Sequence, residues 1–177
     1  MLSGMREGVS RAASIVKSLN HFSRQTGSKD EDCDVKSVIE NCLEMLSSKL
    51  KHRVTVKTNY TDQPYKLKGN EGRLHQSFLN ILSNAQQAIP EKGEIVITTQ
   101  LEGERLILLF KDSGEGIDEE DISRINEPFF TTKEPGQGTG LGLAITHSIV
   151  EEHGGTIEYS SQIKCGTTVK VSLPVSV

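Results

Sequence analysis

Gly138-Thr139-Gly140-Leu141-Gly142-Leu143-Ala144 is a glycine-rich run that leads directly into a predicted helix, Leu141 to Glu152. Backbone N–H groups at a helix N-terminus bind anions, because they lack intrahelical partners and the helix dipole favours negative charge. The run is not a dinucleotide fingerprint, since Leu143 stands where G-x-G-x-x-G needs its last glycine, and the chain contains no P-loop. Two interpretations remain, a phosphate site in another fold and a purely structural glycine run.

The segment just before this run reads Pro128-Phe129-Phe130-Thr131-Thr132-Lys133 and continues into Glu134-Pro135-Gly136-Gln137. Two aromatic residues followed by a lysine and a Pro/Gly stretch are typical of a hinged flap that becomes ordered when the lysine meets phosphate. Paired phenylalanines are also common in hydrophobic cores. This segment alone therefore leaves both interpretations open.

A third segment, Asp112-Ser113-Gly114-Glu115-Gly116, begins where the apolar strand Leu106 to Phe110 ends. A carboxylate held at a strand end can accept a hydrogen bond from an exocyclic amine such as that of adenine. Guanine carries a carbonyl at that position and would be repelled, so the carboxylate would also select the base. An ordinary turn containing an aspartate and two glycines explains this segment equally well.

Two asparagines, Asn80 and Asn84, stand four residues apart in a predicted helix and so share one of its faces. Asparagine is a poor helix former, so two of them in mid-helix call for an explanation. A side-chain amide oxygen is a hard, neutral ligand that suits Mg²⁺ when phosphate oxygens and water complete the coordination. The alternative is a solvated polar face that also includes Gln76 and Gln87.

The order of predicted elements decides the fold class. Asp34 can cap a first helix that extends to Leu50, and Pro90 ends a second helix. Strands are predicted from alternation or apolar character at 54–58, 65–68, 94–101, 106–110, 156–161 and 167–174. We expect an α+β fold, a two-layer α/β sandwich with a largely antiparallel sheet. The uniformly apolar strand 106–110 is expected to be covered on both faces.

The N-terminal segment, residues 1–27, carries apolar residues at 3-4-3-4-3 spacing and predicts an amphipathic bundle helix. An intermolecular bundle is favoured over packing on its own domain, because the polar, turn-rich stretch that follows is typical of a linker. We predict a linker at residues 28–33 and a second domain at residues 34–177.

Composition limits the classes of partner and compartment. A formal net charge of −4 argues against nucleic acid and anionic membranes as partners. No apolar run approaches the roughly 20 residues of a spanning helix, and the N-terminus has no signal-peptide pattern. Cys33, Cys42 and Cys165 have no metal-ligand spacing. We therefore expect reduced cysteines in a cytoplasmic protein, without membrane contact by this segment.

Taken in order, NILSNA, DSGEGI, PFFTTK and GTGLGLA resemble the N, G1, F and G2 boxes of sensor histidine kinases, which have the Bergerat ATP-binding fold. EGVSRAASIVKSLNHFSR resembles the second helix of their dimerisation and phosphotransfer domain, so the resemblance covers essentially the whole chain. It implies ATP and Mg²⁺ as ligands, a homodimer through the N-terminal helix, and a response-regulator receiver domain as partner.

The resemblance also implies residue roles. Asn84 matches the Mg²⁺ ligand, and Asn80 and Lys133 match catalytic positions near the metal and phosphates. Asp112 matches the carboxylate that holds the adenine amine. The remaining matches are nucleotide-binding positions of the G1 loop, the lid, the phosphate-facing run and the last hairpin, namely Gly114, Gly116, Phe129, Phe130, Gly138, Thr139, Gly140, Leu141, Gly142 and Thr167.

Two departures from the family pattern bear on mechanism. Many relatives have a lysine three residues after the metal asparagine, where this chain has Gln87, so Lys133 is expected to neutralise more of the phosphate charge. No histidine here fits the acceptor pattern H-[ED]-x-x-x-P, and we expect the acceptor helix to precede Met1.

The residue at position 80 bears on the class of reaction. ATP-hydrolysing relatives have a glutamate base there, whereas an asparagine cannot take up a proton. Asn80 therefore favours γ-phosphoryl transfer to histidine. The alternatives are a hydrolysing ATPase and a nucleotide-gated interaction module that transfers no phosphate.

Overall fold

A computed structural model of the chain describes residues 31–133 and 138–176. The predicted N-terminal bundle helix, residues 1–27, and part of the predicted flap lie outside these residues. The elements in chain order are β1 (Glu31–Cys33), α1 (Val35–Leu50), β2 (Val54–Asn59), β3 (Leu67–Gly69), α2 (Glu71–Ala88), β4 (Gly93–Glu102), β5 (Arg105–Asp112), α3 (Glu119–Ile122), α4 (Gly142–Glu152), β6 (Thr156–Gln162) and β7 (Gly166–Pro174).

Side-chain caps fix where the two long helices begin. The Asp34 carboxylate accepts hydrogen bonds from the Ser37 N–H at 3.3 Å and the Ser37 hydroxyl at 2.7 Å. The Asn70 side chain accepts from the Arg73 N–H at 3.0 Å at the start of α2. Such caps satisfy backbone donors that have no partner within the helix. The predicted cap at Asp34 is confirmed, and α2 ends two residues before Pro90.

Five strands form one sheet in the order β2-β4-β5-β7-β6. β2 runs parallel to β4, and the other neighbouring pairs are antiparallel. The predicted α+β fold, with helices packed on a largely antiparallel sheet, is confirmed. β1 and β3 form a separate two-stranded antiparallel sheet.

The hydrophobic core lies between the helices and one face of the sheet. Leu106, Leu108 and Phe110 alternate along β5 and are almost fully buried in this core. The Phe110 ring lies 5.6 Å from the ring of Phe78 on α2. Burial of one such side chain stabilises the fold by about 1.5–3 kcal/mol. The core thus holds α2 firmly against the centre of the sheet.

Strand β5 is not covered equally on its two faces. Ile107 is 4% exposed but lies outside the core cluster, and Leu109 is only half-buried. The expectation that both faces are covered is therefore right for the helix side and only partly right for the other. An antiparallel sheet can leave one face toward water, even where a central strand is apolar.

Residues 31–33, which we assigned to the end of a linker, form strand β1 and pair with residues 67–69 of β3. The predicted linker at 28–33 therefore overlaps an element that belongs to the folded domain. Because residues 1–30 lie outside the described part, the domain boundary itself stays a prediction.

Candidate functional site

A cavity of about 850 Å³ opens between α2, the ends of β5 and β7, and the segments that precede α4. Its volume is in the range of small-molecule binding sites. The structure brings most of the predicted site residues together on its walls, namely Asn80, Asn84, Asp112, Gly116, Phe130, Lys133, Gly138, Thr139, Gly140, Gly142 and Thr167. Gly114, Phe129 and Leu141 are not among the lining residues.

Asp112 lies at the end of the row of β5 residues that face the core, because alternate residues of a strand share a face. It is 6% exposed. Its Oδ1 accepts hydrogen bonds from the N–H of Gly114 at 2.8 Å and of Thr167 at 3.2 Å. Its Oδ2 accepts none within residues 31–133 and 138–176. The carboxylate is therefore fixed by backbone and keeps one oxygen available to a ligand.

Burial raises the pKa of Asp112, while the N–H groups of Gly114 and Thr167 act in the opposite direction. Desolvation penalises the charged form, and hydrogen bonds to a carboxylate favour it. A donor from a ligand would stabilise this carboxylate further. The site is therefore suited to an amine-bearing ring in an apolar setting.

Behind Asp112, hydroxyl groups connect β7, β6 and the loop after β5. The hydroxyls of Ser161 and Thr167 lie 2.8 Å apart, and Ser161 Oγ accepts from the Ile117 N–H at 2.8 Å. Sequence reasoning missed Ser161 and Ile117 because they are 44 residues apart. The alternation that points Ser161 inward on β6 was the only signal available.

The glycines of the G1 loop are required by the protein's own backbone. A Cβ at Gly114 would lie 2.6 Å from the Ala88 carbonyl oxygen, and one at Gly116 would lie 2.2 Å from that of Gln162. We expected these glycines to make room for a base. The structure shows a packing reason for them, since they let the loop approach the end of α2 and the β6–β7 turn. The expectation about a base stays a prediction.

Asn80 connects α2 to the start of α4. Its Nδ2 donates to the carbonyl oxygen of Gly142 at 3.1 Å and contacts Thr146 Oγ1 at 3.4 Å. Thr146 Oγ1 also donates to the Gly142 carbonyl at 2.9 Å. These bonds hold the glycine-rich turn against the asparagine face of α2. The interpretation of that face as merely solvated does not fit Asn80.

Asn84 lies one helical turn further along α2, and its Oδ1 accepts a hydrogen bond from Lys133 Nζ at 3.2 Å. Lys133 Nζ also donates to Oε1 of Gln87. Burial lowers the pKa of Lys133. No carboxylate in the described residues forms an ion pair with this ammonium, so two neutral amide oxygens are its partners. An anion bound in the cavity would supply the missing charge.

The lid segment and the glycine-rich run are joined by backbone. The Phe129 N–H donates to the Gly140 carbonyl at 2.9 Å, and a Cβ at Gly140 would lie 2.3 Å from the Phe129 carbonyl carbon. Both residues have a positive φ, 70° and 66°. Phe129 is 63% exposed. Phe130 lines the cavity, and the guanidinium carbon of Arg124 lies 4.4 Å from the centre of its ring. The two phenylalanines are therefore not both core residues.

Helix α4 begins at the cavity without a side-chain cap, since Leu141 at its N-cap cannot accept a hydrogen bond. Among the hydrogen bonds of the described residues, Thr139 Oγ1 accepts one, from the Leu141 N–H at 3.4 Å. The first N–H groups of the helix have no intrahelical acceptors. Gly142 and Leu143 both line the cavity. This helix start can therefore bind an anionic group.

Apolar side chains that sequence reasoning did not assign to the site form much of the cavity wall. These apolar lining residues are Ile81, Ala85, Ala88, Phe110, Ile117, Ile125, Leu143 and Val169. Tyr159 also lines the cavity, and its hydroxyl is buried without a hydrogen-bond partner among the described residues. An apolar wall beside Asp112 suits a flat aromatic ring.

The chemistry of the available donors limits how a metal could be held. The described residues contain no group of three or more His, Cys, Asp or Glu side chains placed to hold an ion. Asn84 Oδ1 is a hard oxygen donor on the cavity wall, and it already accepts from a cation. Such a site fits Mg²⁺ only if the ligand supplies most of the remaining oxygens.

No helix in the described ranges combines the length and apolar character needed to cross a membrane.

Comparison with known proteins gives one family. The model of the family described as histidine kinase-, DNA gyrase B- and HSP90-like ATPase matches residues 69–177. The chain is 34% identical to the sensor histidine kinase ZraS of Escherichia coli K12, over 98% of this chain and 37% of that protein. It is 31% identical to the sensor kinase CckA of Brucella abortus, over 96% of this chain and 20% of that protein. The chain thus spans well under half the length of both relatives.

Solved structures agree with this match. The mycobacterial sensor histidine kinase MprB superposes with a TM-score of 0.74 at 27% identity, over 83% of this chain and 98% of that chain. The catalytic domain of the histidine kinase ThkA gives the same TM-score at 28% identity, over 83% and 96% of the two chains.

Proposed function

The chain belongs to the family of histidine kinase-, DNA gyrase B- and HSP90-like ATPases, and we propose that it is the ATP-binding catalytic part of a sensor histidine kinase. The fold is that of the Bergerat ATPases. The proposed reaction is transfer of the γ-phosphoryl group of Mg-ATP to a histidine of the dimerisation domain, for relay to an aspartate of a response-regulator receiver domain.

One observation carries this proposal. The cavity has a buried carboxylate, Asp112, beside an apolar wall, and it also has Asn84, Lys133 and the start of α4 on its lining. A single ligand with an amine-bearing aromatic ring and a polyphosphate chain satisfies all of these groups. ATP has this combination, whereas GTP places a carbonyl oxygen where Asp112 needs a donor.

The protein's own groups bind and orient the nucleotide. Asp112 Oδ2 accepts from the adenine amine, while the N–H groups at the start of α4 and the Lys133 ammonium bind phosphate oxygens. Mg²⁺, held by Asn84 Oδ1, would neutralise charge on the phosphates. As the acceptor imidazole nitrogen attacks in line, the bond from the γ-phosphorus to the bridging oxygen breaks, ADP leaves, and the imidazole loses its proton to water.

Asn80 supports transfer over hydrolysis. Its Nδ2 is hydrogen-bonded to the Gly142 carbonyl, and a carboxamide takes up no proton at neutral pH. A water nucleophile must lose a proton from its attacking oxygen and so needs a base, whereas the attacking nitrogen of a neutral imidazole carries no proton. Positioning and charge neutralisation then provide most of the catalysis. Among the described residues that line the cavity, Glu115 is the second carboxylate beside Asp112, and it is the base to test if hydrolysis is observed.

We further propose a cytoplasmic site of action and a homodimer formed through residues 1–27. Cys33, Cys42 and Cys165 are free thiols, as expected in a reducing compartment. A dimer would bring the acceptor helices of a longer parent protein beside the ATP sites. Sedimentation that gives only monomer at high concentration would contradict dimerisation by this chain.

Binding and phosphate release test the nucleotide part of this proposal. We expect Mg-ATP to bind the chain, and Mg-GTP to bind about 100-fold more weakly because Asp112 meets a carbonyl oxygen. Phosphate release should stay near the uncatalysed background. Steady release that falls in Glu115→Gln would instead identify a hydrolysing ATPase. Equal binding of the two nucleotides would contradict the role given to Asp112.

A further inference from the structure

Four side chains on one side of the cavity form a hydrogen-bonded chain that the proposed mechanism uses only in part. Gln87 Nε2 donates to Ser83 Oγ at 3.1 Å, and Gln87 Oε1 accepts from Lys133 Nζ. Lys133 Nζ donates in turn to Asn84 Oδ1 at 3.2 Å. Ser83, Asn84 and Gln87 follow one another along α2, so a single helix holds both acceptors of the ammonium.

The bond to Ser83 fixes the direction of the Gln87 amide. Because Nε2 donates to Ser83 Oγ, the carbonyl oxygen Oε1 is the atom presented to Lys133. An amide whose two ends are both used has less rotamer freedom to lose when its partner is bound. Gln87 Oε1 is therefore oriented to accept a hydrogen bond from a cation at this point of the cavity.

Asn84 cannot keep the ammonium when it takes up a metal. A divalent cation at Asn84 Oδ1 and the Lys133 ammonium would be like charges on one oxygen atom, and such proximity is strongly unfavourable at a partly buried site. Metal binding must therefore move Lys133 Nζ off Asn84. Gln87 Oε1 accepts from the same ammonium and carries no charge, so it remains available to Lys133 after this exchange.

We propose that Gln87 is a positioning residue that keeps Lys133 at the phosphate end of the cavity when Mg²⁺ displaces the ammonium from Asn84. This inference rests on the proposed function. The Lys133 ammonium then has two successive sets of partners. Before metal binding it donates to Asn84 and Gln87, and afterwards it donates to Gln87 and the phosphate oxygens. This exchange of partners also explains how this chain uses a neutral glutamine where many relatives carry a lysine.

A double-mutant cycle tests the proposal with ATP binding as the readout. The variants are Gln87→Ala, Lys133→Ala and the double variant, each titrated with a fluorescent ATP analogue in Mg²⁺ and in EDTA. In Mg²⁺, we expect Lys133→Ala to weaken binding about 10-fold and Gln87→Ala about 5-fold. The double variant should bind like Lys133→Ala alone, because Gln87 acts only through Lys133.

The metal dependence separates positioning from a general structural effect. In EDTA, Asn84 still holds Lys133, so Gln87→Ala should bind the analogue within about 2-fold of the parent chain. Gln100→Ala replaces an exposed glutamine that pairs with Glu102 on β4, and it should match the parent in both conditions.

Two results would overturn the proposal. Multiplicative losses in the double variant would mean that Gln87 acts independently of Lys133. If Gln87→Ala loses the same affinity for the ATP analogue in Mg²⁺ and in EDTA, the metal does not displace Lys133 from Asn84. If the parent chain itself bound no ATP, the proposed function would fail as well, and this outcome is distinct from the other two.

Discussion

The backbone N–H of Thr167 on β7 donates a hydrogen bond to Asp112 Oδ1 at 3.2 Å, so this neighbouring strand fixes the carboxylate at the apolar end of the cavity. Asp112 ends the core-facing row of β5, and Thr167 ends the corresponding row of β7. The proposed recognition of a base by Asp112 Oδ2 would therefore depend on the packing of two central strands.

Asp112→Asn separates these two functions of the carboxylate. The asparagine Oδ1 can still accept from Gly114 and Thr167, but its Nδ2 presents hydrogens where Oδ2 accepted. Two donors would then face each other, and we expect ATP affinity to fall by about 100-fold. Titration of a fluorescent ATP analogue checks this. Retained affinity would show that the adenine ring binds elsewhere.

The same substitution should stabilise the nucleotide-free protein at neutral pH. Because burial raises the pKa of Asp112, the native state binds its proton more tightly than the unfolded state. Asp112 contributes most to stability when it is protonated. This contribution is complete below the pKa of the group in the unfolded state, and it is lost as the pH rises through its pKa in the folded state. Removal of this buried charge should therefore raise the free energy of unfolding at pH 7.

Thermal unfolding across pH provides the check. The difference in Tm between Asp112→Asn and the parent should be largest near pH 7–8 and should shrink as the pH falls into the usual carboxyl range. A difference that is constant with pH would mean that the substitution acts through packing and not through the charge.

Asn84→Ala tests the metal ligand. The residue lies on a polar face of α2 and its known partner is Lys133, so the fold should survive. ATP affinity should fall by at least about 10-fold in Mg²⁺ and change little in EDTA. Asn59→Ala, at an exposed position on β2, serves as the control for asparagine removal. An unchanged Mg²⁺ dependence in Asn84→Ala would remove Asn84 from the site.

Gly166 and Gly103 form a matched pair for backbone effects. Both have a positive φ, 100° and 57°. A Cβ at Gly166 would lie 2.0 Å from the Asp112 carbonyl oxygen, whereas one at Gly103 meets nothing within 4 Å. We expect Gly103→Ala to lower the free energy of unfolding by about 1 kcal/mol, because alanine is strained at a positive φ. Gly166→Ala should lower the free energy of unfolding by more than about 3 kcal/mol, because the backbone at Asp112 would also have to move away from the new Cβ.

Urea unfolding of the two alanine variants gives both values. If Gly166→Ala and Gly103→Ala lower the free energy of unfolding by similar amounts, the backbone beside Asp112 can move away from the new Cβ without loss of stability. In that case the β6–β7 turn would not be what holds the G1 loop in place.

Several parts of the site follow from sequence because their chemistry depends on residues close together in the chain. Asn80 and Asn84 share a face at helical spacing, and the cap at Asp34 and the end of α2 before Pro90 are local effects. The order of the four motifs then gave the family. The motif also predicts that Lys133 contacts phosphate, which stays a prediction, but it did not indicate the contact of Lys133 with Asn84.

Other parts depend on contacts between distant segments. The three-residue strands β1 and β3 carry no periodicity, so β1 was assigned to a linker. The G1 glycines were assigned to ligand access, and their close contacts with the carbonyl groups of Ala88 and Gln162 were not predicted. Such close approaches arise only from tertiary packing, which a sequence pattern does not encode locally.

Transfer of labelled phosphate tests the central claim most directly. The chain is mixed with γ-labelled Mg-ATP, with and without a separately supplied dimerisation domain that carries an acceptor histidine. We predict acid-labile, base-stable label on the supplied domain only, and none when Asn84→Ala replaces the parent chain. ATP binding without any label on that domain would contradict the claim that this chain is the catalytic part of a histidine kinase.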